Sequence, residues 1–136
     1  MNLNPDCVRD LLLTLEDLLQ FETDEHGSIY YPALPTENIE NDPRMKRYTR
    51  AEIAYTTLKL TEADYITTFI LNGDNMYNGA IYFSITYLGH QFLDTVRPPS
   101  VWAETKGIAK KVGSFALNIL SSIAVGVITR RINNNI

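Results

Sequence analysis

The sequence predicts an α+β chain, a winged helix-turn-helix-like domain over residues 1–97 followed by a long apolar C-terminal helix in residues 98–136. Three observations carry that prediction. Residues 44–93 read helix, extended segment, loop, extended segment, helix, with the hydrophobic period changing accordingly. Four cations, Arg44, Lys46, Arg47 and Arg50, open that stretch. Residues 112–129 carry no charge, and lie between Lys110-Lys111 and Arg130-Arg131.

The first helix is the best marked. Asn4 can accept from the first free amides and Pro5 suits the first helical position, having no amide to satisfy. Asp6 sits well at the positive end of the dipole. Val8, Leu11, Leu12, Leu15, Leu18 and Leu19 recur at helical spacing, so the helix is expected to run to about Phe21. Residues 22–43 form a connector with Pro32, Pro35, Pro43 and many acids. Within it Ile29-Tyr30-Tyr31 favours a short extended piece, which Pro32 confines to an edge. A helical turn between residues 38 and 45 has Pro43 against it.

Thr49-Arg50-Ala51-Glu52 is a capping-box pattern and starts a helix expected to reach Ala63. Ile53, Ala54, Thr57, Leu58 and Thr61 share its broad inner face, and Arg50, Tyr55, Lys59 and Glu62 lie outward. An extended segment follows from Tyr65 to Leu71. Residues 72–79 are turn chemistry, and Ile81, Phe83 and Ile85 then alternate with polar or aromatic neighbours as a half-buried strand does. The two strands and their long polar loop are the expected wing. Thr86 caps a further helix that Pro98 and Pro99 end, and Ser100 is the expected cap of the last helix, which carries Trp102.

Composition sets limits on function. The chain has 136 residues, 45% of them hydrophobic, enough for one cored domain with an appendage. A net charge of -4 lacks the overall cationic excess of a strong nucleic-acid binder, so any basic patch must be local. One cysteine excludes an intrachain disulfide and points to a reducing, cytoplasmic setting. The opening residues have no long apolar run and do not read as a secretory signal. His26 and His90 are far from Cys7 in sequence, so no metal-ligand spacing exists, and no cofactor is expected. No nucleophile, base and orienting group can be assembled with any specificity, which excludes enzymes from the leading readings.

The cationic stretch is the candidate nucleic-acid face. Arg44, Lys46, Arg47, Arg50 and Lys59 are expected to touch phosphates, where they would release counterions, with Tyr55 and Thr56 approaching bases. Glu52, Glu62 and the cation-free loop with Asp74 oppose that field. Tyr30, Tyr31, Tyr77 and Tyr82 offer an aromatic recognition surface, or else half-buried sheet and loop residues, the reading favoured. The uncharged tail is expected to pack on protein, with Trp102, Ile108, Val112, Phe115, Ile119, Ile123 and Val127 as its self-association residues, because so apolar a helix standing free would leave a large sticky patch. Its length also sits at the lower edge of the ~20 residues that span a bilayer, which keeps a membrane segment as the lesser reading.

Several segments resemble a family of small bacterial and phage proteins known only as a domain of unknown function. They are Met1-Asn2-Leu3-Asn4-Pro5-Asp6-Cys7-Val8-Arg9-Asp10, Tyr48-Thr49-Arg50-Ala51-Glu52-Ile53 with Leu58-Lys59-Leu60, Ile85-Thr86-Tyr87-Leu88-Gly89-His90-Gln91-Phe92-Leu93-Asp94, and Trp102 with Lys106-Gly107-Ile108-Ala109-Lys110-Lys111-Val112-Gly113-Ser114-Phe115. The resemblance implies a role in phage–host biology and carries over no reaction. The expectation is therefore a non-enzymatic binding protein: first a regulator that binds DNA, next an inhibitor of a host or defence protein, and last a membrane-acting protein.

Overall fold

The computed structural model describes residues 1–135. Helix α1 (Pro5–Leu18) opens as its sequence dictates, with Asn4 Oδ1 accepting from the amides of Asp6 at 3.0 Å and Cys7 at 3.3 Å. It ends earlier than expected. The Gln20 side-chain Nε2 reaches back to the carbonyls of Glu16 and Asp17, and Leu19 turns extended. The chain then makes a small exposed arm, β1 (Glu22–Thr23) antiparallel to β2 (Ile29–Tyr30). Asp24 builds its turn by accepting from the amides of His26 and Ser28.

β3 (Leu34–Pro35) leads into α2 (Thr36–Glu40) and a 3-10 turn, Pro43–Met45. Pro43 opens that turn instead of barring it, because proline is tolerated in a first turn. α3 (Arg50–Glu62) starts on the full capping box: Glu52 N donates to Thr49 Oγ1 and Thr49 N donates to Glu52 Oε1. Asn4 Nδ2 also donates to Glu52 Oε2 at 3.0 Å, so the starts of α1 and α3 are clasped by one carboxylate.

β4 (Ile66–Gly73) and β5 (Met76–Ile85) form the expected hairpin, with β3 on the far side of β5, giving the order β3-β5-β4. The long polar loop expected over residues 72–79 is corrected. Gly73 pairs with Met76, and the link is only Asp74-Asn75, with Asn75 in the left-handed conformation at φ 56. Asparagine tolerates that conformation, so turn chemistry there shortens the loop instead of lengthening it.

α4 (Tyr87–Val96) is capped by Thr86, whose Oγ1 accepts from the Gly89 amide. Gly89 lies against the strand entrance, and a Cβ built on it would stand 2.1 Å from the Tyr65 carbonyl oxygen. At the other end Arg9 donates to the carbonyls of Val96 and Arg97, satisfying groups the helix leaves open.

The single long apolar C-terminal helix is also corrected. Two helices take its place, α5 (Pro99–Val112) and α6 (Leu117–Asn134), folded against each other. Gly113, at φ 85, ends α5 in a left-handed cap, the usual reason a helix stops where its apolar run does not. The start of α5 is set by Pro98 and Pro99 and not by Ser100. The Arg131 guanidinium donates to the Ser100 hydroxyl and to Glu104, and Arg130 pairs with Glu104, pinning α6 to α5. Among the described residues no helix is long and apolar enough to cross a membrane.

The core joins these elements, apart from the exposed arm of β1 and β2. Val8, Leu11, Leu12 and Leu15 of α1, Ile53 and Leu60 of α3, Tyr82 of β5 and Phe92 and Leu93 of α4 belong to one buried cluster with Trp102, Ala109, Leu120 and Ala124. The boundary expected at residue 97 falls between helices that share this core.

Candidate functional site

The cations expected to meet phosphates each find a polar partner within the chain. Arg44 bonds Asp42 and Asp17, Arg47 donates to Asp10 at 2.7 Å, Arg50 lies 2.7 Å from Glu40, and Lys59 lies 3.0 Å from Glu62. Lys46 donates to the Asn41 side chain. Asp10 also accepts from the Tyr48 hydroxyl at 2.6 Å, which together with burial pushes the tyrosine well above its ordinary value. Thr56 is a correction. It is buried, with its hydroxyl returned to the Glu52 carbonyl at 2.7 Å, so it has no route to a base. Its place follows from helical phase, since it stands three residues from Ile53 and four from Leu60. Tyr55 stays half-buried, beside Leu3 on one flank and Leu117 and Asn118 of α6 on the other.

The groove between α3 and the hairpin sets Glu37 and Glu40 against Arg50. It encloses about 510 Å³ and is lined by Glu37, Glu40, Arg50, Tyr55, Tyr77 and Asn78, among others. At its base a cluster of hydroxyls is buried. Thr57 and Tyr82 hydrogen-bond at 2.7 Å, Thr36 Oγ1 accepts from the Ala80 amide, and the Tyr77 hydroxyl lies beside them without a well-formed hydrogen bond.

The residues expected to drive self-association scatter. Trp102 and Val127 are buried within the chain, and the Trp102 indole donates to Asp6 at 2.9 Å alongside Lys106. Burial works to raise the Asp6 pKa, but the hydrogen bonds from Lys106 and Trp102 outweigh it and hold the carboxyl below its ordinary value. Phe115 and Ile123 pack against the core, Ile108 and Ile119 are half-buried, and Val112 is exposed. The sticky face is covered largely by α4 and α5 of the same chain.

A cleft that sequence reasoning did not assemble opens near the end of α1. It encloses about 530 Å³ between the end of α1, the arm and the hairpin, and is lined mostly by Leu15, Leu19, Phe21, Tyr31, Pro32 and Phe83. Phe21 and Tyr31, 62% and 85% exposed, stand at its mouth with ring centroids 5.6 Å apart. Its polar groups are few: Glu16, His90, and the Thr67 and Ser84 hydroxyls, which bond each other at 2.7 Å. Glu16 is gripped by the Arg97 guanidinium, with a 2.8 Å contact to its second oxygen, and His90 Nδ1 lies 4.0 Å away. The Arg97 hydrogen bonds hold the Glu16 carboxyl below its ordinary pKa. A carboxylate so engaged orients the cleft wall and is a poor general base.

Of the four tyrosines weighed as a recognition surface, Tyr30 and Tyr31 point outward, Tyr82 is buried and Tyr77 is half-buried. The available signal was Pro32, which keeps the arm from extending into a longer strand. Cys7 is a core residue whose thiol burial pushes up to about 11, too high for a reactive thiolate. Among the described residues no group of three or more His, Cys, Asp or Glu could hold a metal ion.

The chain belongs to the family described as hypothetical protein (DUF2513), which matches residues 2–116. No curated protein matches it, and no solved structure does either.

Proposed function

We propose that this chain is a non-enzymatic protein-binding module, a winged-helix scaffold whose working surface is the aromatic cleft beside α1 and not α3. The scaffold reading is supported by element order: helix, short strand, helix, helix, then a hairpin whose second strand lies between the other two. One observation carries the functional reading. Arg44, Arg47, Arg50 and Lys59 are each held by a carboxylate of the same chain, while Phe21, Tyr31 and Phe83 stand uncovered around an apolar cleft. Large exposed aromatics around a concave site are how interfaces anchor a partner. Glu22, Asp24 and Glu25 on the arm beside the cleft favour a partner that presents an apolar side chain flanked by lysine or arginine. The resemblance to small bacterial and phage proteins implies phage–host biology, and on that implication we take a host or defence protein as the partner to test.

A peptide-display selection tests the proposal. Wild-type protein should enrich peptides with an apolar anchor next to cations, and a Tyr31→Ala, Phe83→Ser variant should lose them at least tenfold. Absence of enrichment, or enrichment indifferent to those substitutions, ends the reading. The rival reading, a DNA-binding regulator, is favoured by the winged order and by Arg50, whose side chain remains 88% exposed despite its pairing. Anisotropy titration against mixed-sequence duplex DNA at low salt separates the two. Binding with a steep salt dependence would restore the regulator.

A further inference from the structure

The sheet side of the aromatic cleft is built around a break in the β4–β5 ladder. Thr67 pairs with Ser84 and Thr68 pairs with Tyr82, so Phe83 is an extra residue with no partner on β4. A bulge of this kind re-aims a side chain. Here Phe83 and Ser84, neighbours that a regular strand sends to opposite faces, both line the cleft. Thr67 and Ser84 set two hydroxyls into a largely apolar wall, bonded to each other at 2.7 Å. One of their two protons makes that bond, and the other finds no acceptor among the described residues. The His90 ring is the next polar group. Its Nδ1 lies 4.0 Å from Glu16, beyond hydrogen-bond reach, and among the described residues the ring finds no hydrogen-bond partner. Resting on the cleft as the working surface, we propose that its partner's anchoring side chain is a tyrosine, whose phenol hydroxyl accepts from the Thr67–Ser84 pair and donates to a ring nitrogen of His90.

Other anchors leave something in the cleft unanswered. Leucine or phenylalanine dries the Thr67–Ser84 pair and gives its spare proton no acceptor, so the desolvation of that group is uncompensated. The tryptophan indole is a donor only and meets the same penalty. Aspartate or glutamate would accept, but Arg97 is already shared by Glu16 and Asp94, and the newcomer meets Glu16 as a like charge. Lysine or arginine finds no free carboxylate in the wall, because Arg97 holds both Glu16 oxygens. A neutral hydroxyl carried on a ring answers the spare proton and the imidazole together. Its ring then lies among Phe21, Tyr31 and Phe83, where aromatic neighbours add to simple burial.

Synthetic peptides Lys-Gly-X-Gly-Lys, with X tyrosine, phenylalanine or leucine, read the preference in an NMR titration of the full chain. Wild type should bind the tyrosine peptide about tenfold tighter than either of the others, with shifts at the Phe83, Ser84 and His90 amides. Thr67→Val with Ser84→Ala removes both hydroxyls, and should bring the tyrosine and phenylalanine peptides within about twofold of each other. His90→Leu should weaken the tyrosine peptide and leave the phenylalanine peptide unchanged. Amide signals away from the cleft that do not move between wild type and variants are the folding control. A phenylalanine or leucine peptide bound as tightly as the tyrosine peptide overturns the choice of tyrosine and leaves the cleft standing as the working surface. A tyrosine preference that survives Thr67→Val, Ser84→Ala does the same. No binding by any of the three peptides, with no shift at the cleft, overturns both.

Discussion

Helix α3 and the cleft beside α1 meet solvent in opposite ways. Along α3 and the turn before it, each strong charge has a partner within the chain: Asp10 for Arg47, Glu40 for Arg50, Glu62 for Lys59. Around the cleft, Phe21, Tyr31 and Phe83 have neighbours but no cover. A charge satisfied in cis must be freed before it can hold a phosphate, whereas an apolar surface left wet gains from any partner that dries it. The difference teaches that a cationic run in sequence is only an inventory. What a fold offers to a ligand is what remains after it has answered its own charges.

The largest expected effect breaks the cleft's frame and leaves the α3 pairs alone. Gly89 lets α4 press against the Tyr65 carbonyl, and α4 carries His90 into the cleft wall. Gly89→Ala forces helix and strand apart and should cost about 3 kcal/mol in urea unfolding. A loss below about 0.5 kcal/mol would mean that the helix can shift freely, and that the cleft is not rigidly set. On the α3 side the matching test is Asn4→Ala. It removes the cap of α1 and the bond to Glu52 that ties the two helix starts together, and should cost about 1.5 kcal/mol.

Acidity probes the cleft wall. Glu16 is more acidic in the folded chain than its ordinary value of 4.5 because Arg97 hydrogen-bonds its carboxylate. Its stabilising contribution is therefore complete above the unfolded pKa and fades as pH falls through the lower folded value. Arg97→Met should return the Glu16 titration, followed by carboxyl NMR, toward 4.5 and flatten stability against pH in that acid window. An unmoved titration would mean that the ion pair does not persist in solution.

The α3 face can be sharpened by releasing it. Asp10→Asn with Glu40→Gln frees Arg47 and Arg50 without touching either arginine. If pairing is what silences this face, the double variant should gain weak duplex binding, with log affinity falling against log salt at a slope of about -2 for two phosphates. Wild type should show no measurable slope. Binding by neither protein would mean that the acids at Glu37 and Glu62, or cover by Leu117 and Asn118, also block the approach.

Legibility in the sequence followed the range of the interaction. Caps at Asn4, Thr49 and Thr86 were readable because each is satisfied within three residues. The hairpin was readable from alternation, though its turn was not, since Asn72, Gly73, Asn78 and Gly79 look like loop and serve as strand. Gly113 was present as a stop signal and was outvoted by the uncharged run around it. The cleft was not readable at all. Its walls come from α1, the connector and β5, and only tertiary packing brings them together. Nor does sequence distance warn that Asp10 will meet Arg47 or that Glu40 will meet Arg50.

The smallest expected effect sits where the two regions join. Asp64 links α3 to β4 at φ 60, a conformation that L side chains adopt at a cost. Its carbonyl accepts from the Thr86 hydroxyl, and the next carbonyl, of Tyr65, accepts from the Thr86 amide. The left-handed turn therefore aims two carbonyls at the cap of α4, so the exit from the α3 face fixes the helix that walls the cleft. Asp64→Gly removes a left-handed penalty of roughly 1–2 kcal/mol and adds a backbone-entropy cost of roughly 0.5–1 kcal/mol. The net should be a gain of about 0.5 kcal/mol in urea unfolding. Asp64→Val should lose stability, because a branched side chain fits that conformation worst. If glycine destabilises and valine does not, the joint is held by the Asp64 side chain and not by backbone geometry, and α3 and the cleft would have to be treated as independently oriented.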